Sequence, residues 1–318
     1  MDRKKFLQLS GSSALALCLT PNLLSSRSLF PSGLEDGKKI TILHTNDQHS
    51  RIEPFDQNSG RNAGKGGFAR RATLIEQIRK EEKNVLLLDS GDIFQGTPYF
   101  NLFGGELEFK LMSMMKYDAT TMGNHEFDNG LDGFLKALPE AKFPFLCSNY
   151  DFSNTILDGR TQTHKVLERD GIRIGIFGLG IELEGLVGKK QYLETRYLDP
   201  VDIAQHYADY LRKDKGCHLI ICLSHLGYDY GEENKISDLK LAATTSGIDL
   251  ILGGHTHTFL EEPVERFNAN NQKVLINQVG FAGLLLGRVD VTFDRKKKIK
   301  NLATNQLFID AALDGLHV

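Results

Sequence analysis

The feature that most constrains this chain is a repeated ending. Short apolar runs stop abruptly and hand over to small residues and to Asp, Asn or His. Residues 40–44 lead into Thr45-Asn46-Asp47-Gln48-His49, residues 85–89 into Ser90-Gly91-Asp92, and residues 119–122 into Gly123-Asn124-His125-Glu126-Phe127-Asp128. Further on, residues 219–223 lead into Ser224-His225, and residues 250–253 into Gly254-His255-Thr256-His257. Runs of this length and composition predict buried strands, and the amphipathic segments between them (68–83, 107–116, 203–213 and 236–245) predict helices. Strands are also expected at 145–148 and 172–178, the latter reached through a hairpin from 166–168 by Asp170-Gly171, and at 274–278 and 284–293. The pattern is that of an α/β protein, with no internal repeat and one domain over residues 38–318.

In open α/β sheets ligands gather beyond the carboxyl ends of the strands, so the residues at these exits are the candidates for chemistry. Taken singly they are bland. An Asp before Gly is usually a turn residue, and a lone His beside a strand is usually a hydrogen-bonded structural one. Together, Asp47, Asp92, Asn124, His49, His225, His255 and His257 at one sheet edge point to a metal cluster. Asp47 and His49 are two residues apart, as are His255 and His257. In extended chain such pairs point the same way, whereas on a helix they would diverge by about 200°. A loop site on strand ends is therefore expected, not the helical HExxH type. Mixed oxygen and imidazole donors suit a hard to borderline divalent ion, and seven candidates exceed what one tetrahedral ion needs. Two ions sharing a carboxylate, roughly 3.5–4 Å apart, would form the clamp used for phosphoryl transfer to water.

Composition narrows the partners. The 318 residues are 41% hydrophobic and 25% charged, enough to bury a sizeable core. A net charge of −3 gives no general pull toward nucleic acid or an anionic membrane, so an anionic substrate must be held locally. The basic run Arg295-Lys296-Lys297-Lys298 reads as a solvated turn. At the start, Arg3-Lys4-Lys5 precede a weakly apolar stretch (6–19) too short to span a bilayer, so residues 1–37 read as an export signal and linker and the protein as periplasmic. Arg3-Lys4 before Phe6-Leu7 is similar to a twin-arginine signal with lysine in second place, which leaves the twin-arginine and Sec routes both open, and Cys18 belongs to the signal. Cys147, Cys217 and Cys222 form no disulfide framework, and Cys222 reads as a small core residue.

The motifs DxH (Asp47, His49), GDxxQG (Gly91, Asp92, Gln95, Gly96), GNHEFD (Gly123 to Asp128), SHLG (Ser224 to Gly227) and GGHTH (Gly253 to His257) occur in this order. The chain thereby resembles the calcineurin-like metallophosphatases, and more narrowly their 5′-nucleotidase branch, over residues 40–293. The resemblance implies a four-layer α-β-β-α sandwich. It implies that Asp47, His49, Asp92 and His257 hold one metal and that Asp92, Asn124, His225 and His255 hold the other, with Asp92 as the bridge. It places His125 by the leaving group, oriented by Asp128; a carboxylate on one imidazole nitrogen favours the protonated ring, whose other N–H can donate. The ions would be Zn, Mn, Co or Fe, and the implied reaction is attack of a metal-bound hydroxide on a nucleotide phosphomonoester.

Two departures stand out. Ser50 follows the DxH motif where the family commonly has glycine, and the chain stops at Val318 where the branch usually continues into a C-terminal nucleotide-binding domain. The expectation is that this domain is absent and that a separately encoded partner supplies it, with residues 301–318 serving as a closing strand or a docking tail. A cyclic phosphodiesterase, a UDP-sugar hydrolase and a thiosulfohydrolase remain open within the same fold. So does a binding subunit that keeps the metals as a staple, although its mark would be a broken donor set and no position is missing. His44, His164, His206, His218 and His317 are expected to be structural or solvent-exposed.

Overall fold

The structure, a computed structural model, describes residues 37–231 and 235–315. The signal expected from Arg3-Lys4-Lys5 onward, Cys18 and His317 lie outside the described residues. In chain order the strands are β1 (Lys38–Thr45), β2 (Val85–Asp89), β3 (Ala119–Thr120), β4 (Tyr150–Asp151), β5 (His164–Arg169), β6 (Ile172–Leu179), β7 (Arg196–Tyr197), β8 (Leu219–Ser224), β9 (Leu250–Leu252), β10 (Val264–Phe267), β11 (Lys273–Asn277), β12 (Leu285–Phe293) and β13 (Ile299–Phe308). One sheet runs β13-β12-β1-β2-β3, the second β10-β11-β9-β8-β6-β5, and β4 pairs with β7 in a two-stranded sheet. Within them β1, β2 and β3 are parallel, as are β6, β8, β9 and β11.

Period-two alternation sorts each strand's side chains into two layers. Ile40 and Ile42, Leu86 and Leu88, and Val289 and Val291 from the first sheet meet a facing row from the second, all fully buried. That row is Ile172, Ile174 and Ile176 of β6 with Leu219, Ile221 and Leu223 of β8 and Leu250 of β9. On the outer face of the first sheet, Leu43 and Leu87 are covered by Phe68, Ile75 and Ile78 of α1 (Phe68–Glu81) and by Phe109 and Met112 of a helix at Glu106–Met114. On the outer face of the second, Phe177, Ile220, Cys222 and Ile251 are covered by Ala204 and Ala208 of the helix at Pro200–Asp209 and by Leu241 and Ala242 of the helix at Asp238–Thr244. This is the expected four-layer α-β-β-α sandwich. Cys147, Cys217 and Cys222 are free and buried, and Cys222 is the small core residue the sequence implied.

Local chemistry explains most boundaries. Asp170 (φ 54°) and Gly171 (φ 76°) join β5 to β6 with Arg169 paired to Ile172, the two-residue hairpin that a DG pair favours. The helix expected at 203–213 begins earlier, because Asp199 caps the backbone N–H groups of Val201 and Asp202 and Pro200 occupies the first turn; its end widens into a π-turn over Tyr210–Asp214. The strand expected at 145–148 does not form. Its backbone is divided instead between the two sheets, with Leu146 N–H donating to Thr120 C=O (2.7 Å) and Ser148 N–H to Gly178 C=O (2.8 Å). Of the two roles open for residues 301–318, the closing strand is the one seen, since β13 pairs antiparallel with β12 from the Leu285/Phe308 pair to the Phe293/Ile299 pair.

His44 is structural, as expected. It is fully buried, and its Nε2 accepts from the Asn277 amide at 2.8 Å. Burial pushes its pKa down to about 3. An unfolded histidine takes a proton below about pH 6.5, so between that value and the folded pKa the unfolded chain binds more protons and stability falls as pH falls. The slope from this one group is about 1.4 kcal/mol per pH unit. Urea unfolding of His44→Met at several pH values is expected to lack that slope between about pH 6 and pH 4; equal slopes in the two proteins would contradict a neutral buried imidazole.

Candidate metal centre

All seven candidate donors stand at the carboxyl ends of β1, β2, β3, β8 and β9, where these exits are laced together. Asp47 N–H donates to Gly91 C=O (2.9 Å) and His49 N–H to Asp92 C=O (3.0 Å), which joins the loops after β1 and β2. His255 N–H donates to the Asp47 carboxylate (3.0 Å), which brings in the loop after β9. Asp47 and His49 do place their donor atoms in one group, whereas His255 and His257 fall in two different groups, and the extended backbone expected of both pairs is not how they are set. Asp47 (φ 49°), His49 (φ 49°), Asp92 (φ 55°), His255 (φ 71°) and His257 (φ 52°) all occupy the left-handed region. Each such residue costs roughly 1–2 kcal/mol outside glycine, and non-glycine residues hold it where the surrounding structure leaves no alternative.

Close approach also dictates composition. A Cβ on Gly123 would fall 2.2 Å from Asp92 Oδ1 and 2.6 Å from His225 Nε2, so no other residue fits there. At Gly254 a Cβ would sit 2.9 Å from His225 Nδ1 and 3.1 Å from Asp47 Oδ2, in keeping with the tight passage read from the sequence.

The donor atoms form three overlapping groups: Asp47, His49 and His257; His49, Asp92 and His125; and Asp92, His225 and His255, with the atoms of each group within 4.8 Å of one another. Asn124 joins the last through its Oδ1, 2.9 Å from His255 Nδ1. The donor set fits a cation. His49 Nε2 and His257 Nε2 face each other at 2.8 Å, and His257 Nε2 lies 3.4 Å from Asp47 Oδ1. His225 Nδ1 donates to Ser90 C=O at 2.6 Å, a tautomer assigned from that carbonyl, which leaves a lone pair on Nε2. That Nε2 is fully buried, lacks a hydrogen bond of good geometry, and stands 3.1 Å from Asp92 Oδ2. Lone pairs crowded against carboxylate oxygens in a buried cluster call for positive charge between them.

The same carboxylates favour positive charge on the imidazole itself, whose Nε2 carries a proton wherever no cation takes that lone pair. Burial alone would lower the His225 pKa, but the charges of Asp92 and Asp47 outweigh it and raise it to about 10. Burial would raise Asp92, yet His225 and the neighbouring imidazoles hold it far below the ordinary carboxylate range. His255 is pushed down to about 4 by burial and by the charge of His225. His125 stands at the solvent side, with Nδ1 2.7 Å from Asp128 Oδ2 and its backbone N–H on Asp92 Oδ1 (2.8 Å). Burial opposes its charge, but the Asp128 hydrogen bond and the Asp92 carboxylate raise its pKa to about 9.

Sequence reasoning gives no role to several residues that shape this centre. Glu126 is fully buried and accepts from the backbone N–H groups of Asp92 (2.9 Å), Ile93 (2.7 Å) and Gly123 (2.6 Å), so it clamps the exits of β2 and β3 together. Asn46 donates to Asp47 Oδ2 and to Gly280 C=O (both 2.6 Å), and Gln278 accepts from Thr258 N–H (2.6 Å) while donating to Gly254 C=O. For Asn46 and Glu126 the signal present in the sequence is their place inside the candidate loops. For Gln278 it is the polar pair Asn277-Gln278 that ends the apolar run 274–276, the same strand-exit pattern as the donors.

An α-β-β-α sandwich carrying carboxylate, amide and imidazole donors at its strand exits is the architecture of the metallophosphatase class. The chain belongs to the calcineurin-like phosphoesterases, whose family model matches residues 40–259. It is similar to the snake venom 5′-nucleotidase of Naja atra, with 36% identity over 296 residues that cover 86% of this chain and 54% of that one. The 5′-nucleotidase of Homo sapiens is 33% identical over 86% of this chain and 50% of its own length. Among solved structures, the 5′-nucleotidase precursor from Thermus thermophilus superposes with a TM-score of 0.77 at 34% identity, over 87% of this chain and 55% of that one. The chain thus spans about half the length of the curated relatives it matches. No helix among the described residues is long and apolar enough to cross a membrane.

Proposed function

We propose that this chain hydrolyses nucleotide phosphomonoesters at a pair of divalent ions. The observation that carries this reading is the position of the Asp92 carboxylate, whose oxygens belong both to the group with His225 and His255 and to the group with His49. Asp47, His49, Asp92 and His257 would hold one ion, and Asp92, Asn124, His225 and His255 the other, with Zn, Mn, Co and Fe all compatible with the donors. When bound, such ions draw charge from the phosphate oxygens and lower the pKa of water. Asn124 contributes an amide oxygen without negative charge, which keeps the site receptive to a phosphate dianion. The Asp128 carboxylate accepts from His125 Nδ1–H and favours the protonated ring, so that Nε2–H is the proton available. As water adds to phosphorus and the ester P–O bond breaks, that proton passes to the departing ribose oxygen, giving nucleoside and inorganic phosphate.

The relatives named as 5′-nucleotidases support the nucleotide as substrate, and the greater length of those relatives supports base recognition by a segment outside this unit, on the same or a separate chain. The basic start of the sequence supports export to the periplasm.

A substrate panel tests the reading. Nucleoside 5′-monophosphates are expected to be hydrolysed faster than cyclic nucleotides or UDP-sugars, with activity lost in chelator and regained on adding Zn²⁺, Mn²⁺ or Co²⁺. Faster turnover of cyclic nucleotides or UDP-sugars would replace this substrate class with those alternatives. No hydrolysis with any metal would leave the metals as a structural staple in a binding subunit.

A further inference from the structure

The second concentration of unbalanced charge lies at the other end of the sandwich. The metal donors follow the carboxyl ends of the parallel strands. The turn from Asp294 to Lys298 follows β12, whose last residue, Phe293, pairs with Lys38 at the start of β1. In the second sheet, Cys217 and His218 precede β8, Asp249 precedes β9, and Gln272 precedes β11. These amino-terminal ends and the Asp294 turn together line a cleft of about 750 Å³, within the range of about 300–1,000 Å³ usual for small-molecule sites.

The cleft is basic in a particular way. Arg212 is neutralised by Asp249 (2.6 Å) and also donates to the carbonyls of Cys217 and His218, so it forms part of the wall. Lys213 is paired with Asp209 (3.1 Å) and Lys273 with Glu265 (2.7 Å). Lys296, Lys297 and Lys298 line the same cleft, and among the described residues no carboxylate lies within ion-pair distance of their ammonium groups. Their backbone is fixed. Asp294 Oδ1 accepts from the N–H groups of Lys296 (2.8 Å) and Lys298 (2.9 Å), and Lys297 sits at φ 62° in the left-handed region. The Lys297 charge reaches across to His218, where it adds to the depression of that imidazole caused first by burial. The run is solvated, as its sequence suggested, but it is also the rim of a cleft whose lining includes the amides of Asn270 and Gln272.

We propose that this cleft binds a condensed phosphate chain, either free or as the tail of a nucleoside di- or triphosphate. Three adjacent unpaired ammonium groups match an anion of charge three or more better than they match orthophosphate, and neutral amides supply donors without opposing charge. The concave shape suits a discrete anion, whereas a flat anionic surface would meet a protruding basic face. The groups that could hold a metal ion found among the described residues all stand at the strand exits, so this cleft is proposed for binding alone.

Titration calorimetry of the chain kept metal-free with chelator tests this, because removing divalent ions takes away the competing phosphate site at the strand exits. Tripolyphosphate is expected to bind saturably, more tightly than orthophosphate, and with strong salt dependence. In Lys296→Ala/Lys297→Ala/Lys298→Ala the affinity is expected to fall at least about tenfold, the loss that three exposed charge contacts together supply, with the thermal unfolding midpoint confirming that the variant is folded. Equal binding of ATP would show that a nucleotide-borne chain is accepted, and binding of tripolyphosphate alone would restrict the ligand to the free chain. Absence of saturable binding, an undiminished affinity in the triple variant, or binding only to vesicles containing anionic phospholipid would overturn the proposal. Because the test uses metal-free protein, it stands or falls independently of the hydrolytic reading.

Discussion

Asp92→Ala is expected to lose bound metal and hydrolytic activity together, with turnover falling by at least about four orders of magnitude, since on the proposed reading its carboxylate is the ligand both ions would share and their Lewis acidity would leave with it. The size follows from how many contacts converge on one carboxylate. Oδ1 accepts the His125 backbone N–H, Oδ2 stands 3.1 Å from His225 Nε2, and the residue's own N–H is held by Glu126. Metal analysis of the purified variant beside its rate with a nucleoside monophosphate gives the result directly. A variant that keeps its full metal complement and wild-type turnover would remove the shared-ligand assignment.

His125→Ala is expected to behave differently, with turnover lower by about 10²–10⁴ and metal content unchanged, because a positioned general acid contributes in that range. The role also predicts a dependence on the leaving group. A nitrophenolate departs without a proton and an alkoxide does not, so the defect is expected to be much smaller with p-nitrophenyl phosphate than with a nucleotide. Equal losses on the two substrates would assign His125 to phosphate binding instead. Asp128→Asn, which leaves the imidazole in place but removes the carboxylate 2.7 Å from Nδ1, is expected to fall between wild type and His125→Ala.

The fold is legible in the sequence wherever one layer's chemistry dominates. Strands buried on both faces read as plain apolar runs, and the Asp170-Gly171 pair announces its hairpin. Residues 145–148 mislead because an apolar run records only burial; nothing in Phe145-Leu146-Cys147-Ser148 tells a ladder from a segment whose hydrogen bonds are divided between two sheets. The helix start at Pro200 escapes a reading by apolar spacing, which begins later, although Asp199-Pro200 carries both a cap and a first-turn proline. At the candidate metal centre all seven candidate donors come together. What the sequence does not report is the backbone that brings them there, because left-handed φ at Asp or His leaves no mark in composition as it does at glycine. Glu126 escapes for a related reason: its partners are main-chain N–H groups, which every sequence contains.

The five left-handed donors bear on descent. Under the proposed reading the conformational cost at Asp47, His49, Asp92, His255 and His257 is borne by side chains that hold metal, so a lineage relieved of hydrolysis would gain stability by exchanging them for glycine or asparagine. Such exchanges would be favoured, not merely neutral, and the scaffold would drift away from its chemistry faster at these positions than at Asn124 or His225, whose backbone carries no such burden. Loss of function in this fold therefore has a direction, and a relative with glycine at several of the five would be recognisable as one whose catalytic past is over.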